Sequence, residues 1–101
     1  MEKRDLVREC ELDATEVDQF LERQRELLSR WESLSRESKA ALLTDGVSEF
    51  DKQIAKRRAL RKRLEASRDE LPASARLIGA VRCSIQELRE ARYRLATHAS
   101  Q

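Results

Sequence analysis

The chain has 101 residues, of which 40% are charged and 4% aromatic, with two glycines, one proline and a net charge of +2. This composition is typical of long helices, and turn residues are too sparse for a β sandwich or barrel. No stretch approaches the roughly 18 consecutive apolar residues of a membrane span. We therefore expect an all-α, cytoplasmic protein without membrane insertion.

The first predicted helix covers residues 3–43. Its apolar residues recur every seven positions with an offset of three or four, from Leu6 to Leu42, which is the stripe of a helix with one buried face. A Ser/Thr-x-x-acid match at Thr15 offers a second start. Whether residues 1–13 continue the helix or form a separate piece stays open.

A turn is predicted at Asp45-Gly46. Glycine adopts the left-handed conformation that closes a helix, and aspartate favours turns through side-chain hydrogen bonds to the backbone. Ser48 follows with Asp51 three residues later, a pattern that caps the start of a helix. Gly46 is therefore predicted to be the hinge of a helical hairpin.

The second predicted helix covers residues 48–71 and ends before Pro72, which disfavours helical geometry in the residue that precedes it. Arg57 and Arg61 fall inside its apolar stripe, where buried charges need partners. In a hairpin that turns at Gly46, the nearest acids of the first helix are Glu32 and Glu26. We expect Arg57 and Arg61 to pair with them.

The third predicted helix covers residues 74–96 and has the most regular apolar stripe, while residues 97–101 have no pattern and are expected to fray. Gly79 interrupts this helix and suggests that another backbone approaches there. Together the helices predict a single domain over residues 1–101, an elongated antiparallel three-helix bundle or coiled-coil hairpin with a long first helix. Opposite charges favour the packing, since residues 1–43 hold 8 basic and 11 acidic residues and residues 47–71 hold 8 and 5.

In this arrangement the first helix outruns the hairpin, and the third helix is more apolar than one neighbour can cover. Such a surface is expected to contact a second chain, either a client protein or another copy in a homodimer. The alternative is that the third helix is simply one side of the core. The predicted partner-binding residues are Leu6, Val7, Cys10, Val17, Ile78, Val81, Ile85, Leu88 and Leu95.

Catalytic, metal and cofactor sites are not predicted. Cys10 and Cys83 lack a second cysteine or a histidine at ligand spacing, and His98 lies near the chain end without a nucleophile beside it. Six cations fill residues 56–63, but they spread around the helix and no aromatic residue is interleaved with them. Nucleic-acid binding is therefore disfavoured against a helix flank that neutralises the acidic first helix.

One region resembles the bacterial flagellar export chaperones of the FlgN type and the related FliT type. The residues that carry the resemblance are Leu28, Trp31, Leu34, Lys39-Ala40-Ala41-Leu42, the Asp45-Gly46 break, Phe50, Ile54, Lys56, Arg57, Leu60 and Leu64. It implies a non-enzymatic cytoplasmic chaperone of type III secretion, which holds an amphipathic helical segment of a flagellar hook or filament junction protein before export. A coiled-coil adaptor or assembly subunit without a secretion role is the alternative, and a nucleic-acid accessory protein comes third.

Overall fold

A computed structural model describes the backbone of residues 2–98 and the side chains of residues 5–98. It contains three α-helices, α1 (Glu2–Ser29), α2 (Arg36–Ala66) and α3 (Ser74–His98), and a single turn of 3-10 helix at Trp31–Ser33. Contacts across the seams show that α2 runs antiparallel to both neighbours. From Lys56 to Arg63 the ion-pair partners on α1 go back from Glu16 to Glu9, and from Gly46 to Asp51 the contacts on α3 go back from Leu95 to Arg92. The predicted elongated three-helix bundle is confirmed, with extents of 51 × 18 × 16 Å.

The first reversal of the chain lies at residues 30–35, so the predicted boundaries at residues 43 and 48 are wrong. Serines explain the position, because their hydroxyls compete for backbone groups and favour helix ends. Ser29 and Ser33 donate to the carbonyls of Glu26 and Arg30, at 2.6 and 2.7 Å. Ser35 has extended backbone and accepts a hydrogen bond from the Ser38 amide at 3.1 Å, which caps the start of α2.

Gly46 is not a hinge. It lies inside α2, is buried, and has a negative φ like every described glycine. A Cβ atom at this position would stand 2.8 Å from Cδ2 of Leu95, so the glycine permits close approach of α3 to α2. Gly79 shows the opposite, because nothing lies within 4 Å of its Cβ position and the predicted backbone approach is absent.

The second reversal, at residues 67–73, contains Pro72 as predicted, although α2 ends at Ala66, five residues before the predicted Leu71. Ser74 is buried at the start of α3 and donates to the Arg68 carbonyl at 3.2 Å. α3 continues through His98, beyond the predicted end at residue 96, and residues 99–101 of the expected frayed tail lie outside the described part. α1 is a single helix from Glu2, so residues 2–13 are not a separate piece.

The core runs between the three helices along most of their length. Phe20 and Phe50 meet edge to face across the α1–α2 seam, with ring centroids 4.9 Å apart. The other large residues of the core are Leu6, Cys10, Val17, Leu21, Ile54, Leu60, Leu64, Leu71, Leu77, Ile78, Val81, Ile85, Leu88 and Leu95.

Candidate functional site

The predicted partner-binding residues are part of this core. Leu6, Cys10 and Val17 are buried, as are the α3 residues Ile78, Val81, Ile85, Leu88 and Leu95, and Val7 packs partly buried against them. The prediction that Leu6, Val7, Cys10 and Val17 protrude is wrong because the chain turns at residues 30–35, and the alternative that the third helix is one side of the core is confirmed. That turn brings all of α1 alongside α2, and the stripe of α3 closes the third side. These residues therefore offer no free surface.

The predicted pairing of Arg57 and Arg61 with Glu32 and Glu26 is also wrong, because the chain turns at residues 30–35. Arg57 is fully buried, as predicted, but it lies opposite Asp13, which is 5% exposed. Among the described residues Arg61 forms an ion pair only with Glu65 of its own helix, at 3.9 Å, and it is partly exposed. Glu26 pairs with Arg30 at 3.0 Å, and Glu32 is an exposed residue of the first turn of the chain.

Arg57 binds Asp13 through two atoms. Its Nε donates to Oδ2 at 3.0 Å, and its Nη2 lies 3.0 Å from Oδ1, the fork geometry that suits a carboxylate. Nη2 also lies 3.3 Å from Glu16, and Nη1 donates to the carbonyl and side-chain oxygens of Gln53. The guanidinium is thus fully satisfied, and the group functions as a polar anchor within the core.

Two carboxyl groups near this anchor have shifted pKa values, in opposite directions. Burial raises the pKa of Asp13, and the charge of Arg57 opposes that rise. The pKa of Glu16 is lowered, first by the hydrogen bond from Lys56 at 2.7 Å. Burial also raises the pKa of the Cys10 thiol, which makes it a poor nucleophile.

A different group of apolar residues surrounds the first reversal of the chain at residues 30–35, which we call the first turn of the chain. Between Glu22 and Asp45 no residue is buried, although this stretch holds six large apolar side chains. We call them the turn cluster: Leu27, Leu28, Trp31, Leu34, Leu42 and Leu43. Leu28, Leu42 and Leu43 pack against the edge of the core, whereas the other three do not.

The described part of α3 does not run alongside the whole of the turn cluster. Gly46 meets Leu95, which is three residues before the described end of α3 at His98. The first turns of α2 therefore lie beyond the described end of α3. Trp31 contacts the imidazole of His98 edge to face, with centroids 5.1 Å apart, and Lys39 lies 5.5 Å from the Trp31 ring centroid.

A cleft between α1 and α3 joins the turn cluster at Leu28. Its apolar lining includes Leu21, Phe50 and Ala91, and charged side chains of both signs stand around it. An apolar floor with a charged rim suits the apolar face of an amphipathic helix. The sequence signal for this surface was Trp31 with its neighbouring leucines, which the periodicity assigned to a continuous helix.

Within the described residues, no group of three His, Cys, Asp or Glu side chains is placed to hold a metal ion. No described helix is both long and apolar enough to cross a membrane. Comparison with known proteins found no matching family model, no similar curated protein and no similar solved structure.

Proposed function

We propose that this chain is a non-catalytic protein-binding module that holds an amphipathic helix of a partner against the turn cluster. The observation that carries the proposal is that none of the six large apolar side chains between residues 27 and 43 is fully buried: Leu27 is exposed and the other five are partly exposed. Isolated exposed apolar residues are ordinary, but six partly exposed ones around a single reversal of the chain favour an interaction surface. The adjoining α1–α3 cleft extends the surface beyond Leu28.

The specific form of this proposal is a cytoplasmic export chaperone for a flagellar hook or filament junction protein. It rests on the resemblance to FlgN-type chaperones, to which Leu28, Trp31, Leu34 and Leu42 of the turn cluster contribute. The Asp45-Gly46 break no longer supports the resemblance, because α2 is continuous there. A coiled-coil adaptor or assembly subunit would use the same surface, so the identity of the partner decides between the two.

The test is capture of the partner from the native host by the tagged protein and two variants. Leu27→Ser combined with Leu34→Ser changes the turn cluster, while Leu12→Ser changes an exposed leucine elsewhere on α1 and serves as the matched control. The double variant is expected to lose the partner, the control to keep it, and both to melt close to the wild-type temperature.

Mass spectrometry of the captured protein separates the two forms of the proposal. An exported flagellar structural protein indicates a chaperone, and a resident subunit of a complex indicates an adaptor. Trp31 is the only tryptophan, so titration with the captured protein's helical segment should change its fluorescence. Equal capture by the double variant and the control would show that the turn cluster is not the binding site.

A further inference from the structure

The basic run at residues 56–63 is mostly neutralised within the bundle. Lys56 pairs with Glu16 and Arg63 with Glu9, both at 2.7 Å, and Arg57 is buried against Asp13. The prediction that this run neutralises α1 is therefore confirmed. Two of its cations, Arg58 and Lys62, are exposed and have no carboxylate of the described residues within 4.0 Å.

These two cations lie four residues apart, hence on one face of α2. Arg58 lines a cleft on the α2–α3 seam together with Arg89 and Arg92 of α3. Arg82 precedes Arg89 by seven residues, two helical turns, and is exposed on the same face of α3. We call this surface the basic face: Arg58, Lys62, Arg82, Arg89, Arg92 and Tyr93.

The cleft on the basic face contains one acid among its lining residues, Asp51, which is paired with Arg92 at 2.7 Å. Arg82 and Arg89, like Arg58, have no carboxylate within ion-pair distance among the described residues. Tyr93 is 69% exposed beside them. A surface with unpaired guanidinium groups and an exposed phenol can bind an anion, since arginine forms paired hydrogen bonds with carboxylates.

We propose that the basic face binds an acidic helical segment of a protein partner, whose carboxylates lie on successive turns. On α3 the face runs from Arg82 to Tyr93, about 16 Å at 1.5 Å per residue, which matches three turns of a bound helix. The small side chains of Ala55 and Ala96 line the cleft and leave room for its backbone. The ring of Tyr93 supplies an apolar flank and its hydroxyl a hydrogen-bond donor.

An acidic protein segment fits this face better than a nucleic acid. Binding to a polyanion depends on many phosphate contacts, and the chain as a whole carries a net charge of only +2. Single strands also need several aromatic side chains for base stacking, whereas Tyr93 is the only aromatic residue that lines this cleft. The face is separate from the turn cluster, so this inference goes beyond the proposed function and fails independently of it.

The experiment measures binding of a fluorescent, alanine-based helical peptide of about 15 residues, long enough for helix formation. One peptide carries glutamates spaced three and four residues apart along one face, and its matched control carries glutamines there. The protein variants are Arg58→Glu/Arg89→Glu and the control Arg8→Glu/Arg76→Glu, which makes the same change in net charge at exposed positions outside the face.

We expect the wild type to bind the glutamate peptide at least about tenfold more tightly than the glutamine peptide in low salt, because surface charge attraction is screened by salt. The basic-face variant should weaken binding by about tenfold or more, and the control by no more than about twofold. Equal binding of the two peptides, or equal losses in the two variants, would overturn the proposal.

Two further results would reassign the face to another occupant. Tighter binding of a single-stranded or duplex oligonucleotide than of the glutamate peptide would make it a nucleic-acid site. A wild-type dimer in sedimentation that the basic-face variant converts to a monomer would make the occupant a second copy of this chain. Either result would contradict the acidic-segment proposal.

Discussion

The two ends of the bundle differ in how completely they bury their side chains. Near the second turn of the chain, even the guanidinium of Arg57 is fully buried, and the core there includes Leu6, Leu64 and Leu77. Near the first turn, the single tryptophan, Trp31, is not buried, and no neighbouring leucine is either. The difference is coverage, because three helices enclose the first region while the described part of α3 reaches the other only at His98.

This contrast shows that apolar content alone does not decide burial. A charged residue can be buried where partners meet its hydrogen-bonding needs, and a tryptophan stays partly exposed where it meets only the described end of α3, at His98. The end near the second turn thus contributes stability, and the turn cluster is the surface that the proposed partner would cover.

The largest effect is expected for Arg57→Ala. Removal of the guanidinium leaves Asp13 buried without its partner, which should lower the free energy of unfolding by about 3–5 kcal/mol. Urea denaturation measures the loss. The double change Asp13→Leu/Arg57→Met removes both charges and should recover most of it, because a buried pair replaced by apolar residues is often neutral. A loss below about 1 kcal/mol for Arg57→Ala would show that the anchor is not important for stability.

The next largest effect on stability is expected from truncation of a leucine, and it should differ between the two ends of the bundle. Leu64→Ala opens a cavity at a fully buried site of α2 and should cost about 2–5 kcal/mol. Leu34→Ala removes a partly exposed side chain that does not pack on the core, and should cost less than about 1 kcal/mol. Urea denaturation of the two variants gives both values. Similar losses would contradict the contrast between the two ends.

Substitution of the two glycines by alanine should change the stability by smaller amounts and in opposite directions. Gly79→Ala meets open space and should stabilise the protein by about 0.5–1 kcal/mol through helix propensity. Gly46→Ala gains the same propensity but crowds the buried Leu95, and overpacking costs about 1–3 kcal/mol, so a net loss of up to about 2 kcal/mol is expected. Thermal unfolding measures both, and a stabilising Gly46→Ala would show that α3 does not approach α2 closely there.

The smallest expected effect is the pH dependence of the contribution that Glu16 makes to stability. The pKa of Glu16 is lowered from its ordinary value of 4.5, so its contribution to stability is present above 4.5 and is lost as pH falls through the folded-state pKa. Because the Glu16 side chain is partly exposed, Glu16→Gln should cost only a few tenths of a kcal/mol at neutral pH. The difference between wild type and variant should shrink toward zero in acid. A difference that grows as pH falls would contradict this assignment.

The sequence was sufficient to predict the helices, the direction of their packing and the burial of Arg57, because helical periodicity records which face is covered. It misplaced the first turn because Gly46 is a typical helix terminator, and its packing role depends on Leu95, 49 positions away. The signal at the true turn was weaker and was spread over Ser29, Ser33 and Ser35.

The misplaced turn also determined which site residues were predicted. A hairpin that reverses at Gly46 leaves Leu6 and Cys10 uncovered and brings Glu26 towards Arg61. A reversal at residues 30–35 instead covers the start of α1, sets Asp13 against Arg57, and leaves the turn cluster open. The identity of the exposed surface thus followed from a single turn position that local propensity could not fix.

The most direct test of an open turn cluster is thiol labelling of Leu34→Cys, since the protein contains its own standards. Cys83 is exposed and Cys10 is buried, and labelling at each position can be followed by peptide mass spectrometry under native conditions. Thiol reactivity depends on access and on pKa, so the new cysteine should react within about tenfold of the rate of Cys83 and much faster than Cys10. A cysteine at position 34 that reacts as slowly as Cys10 would show that the turn cluster is closed, and would contradict the account.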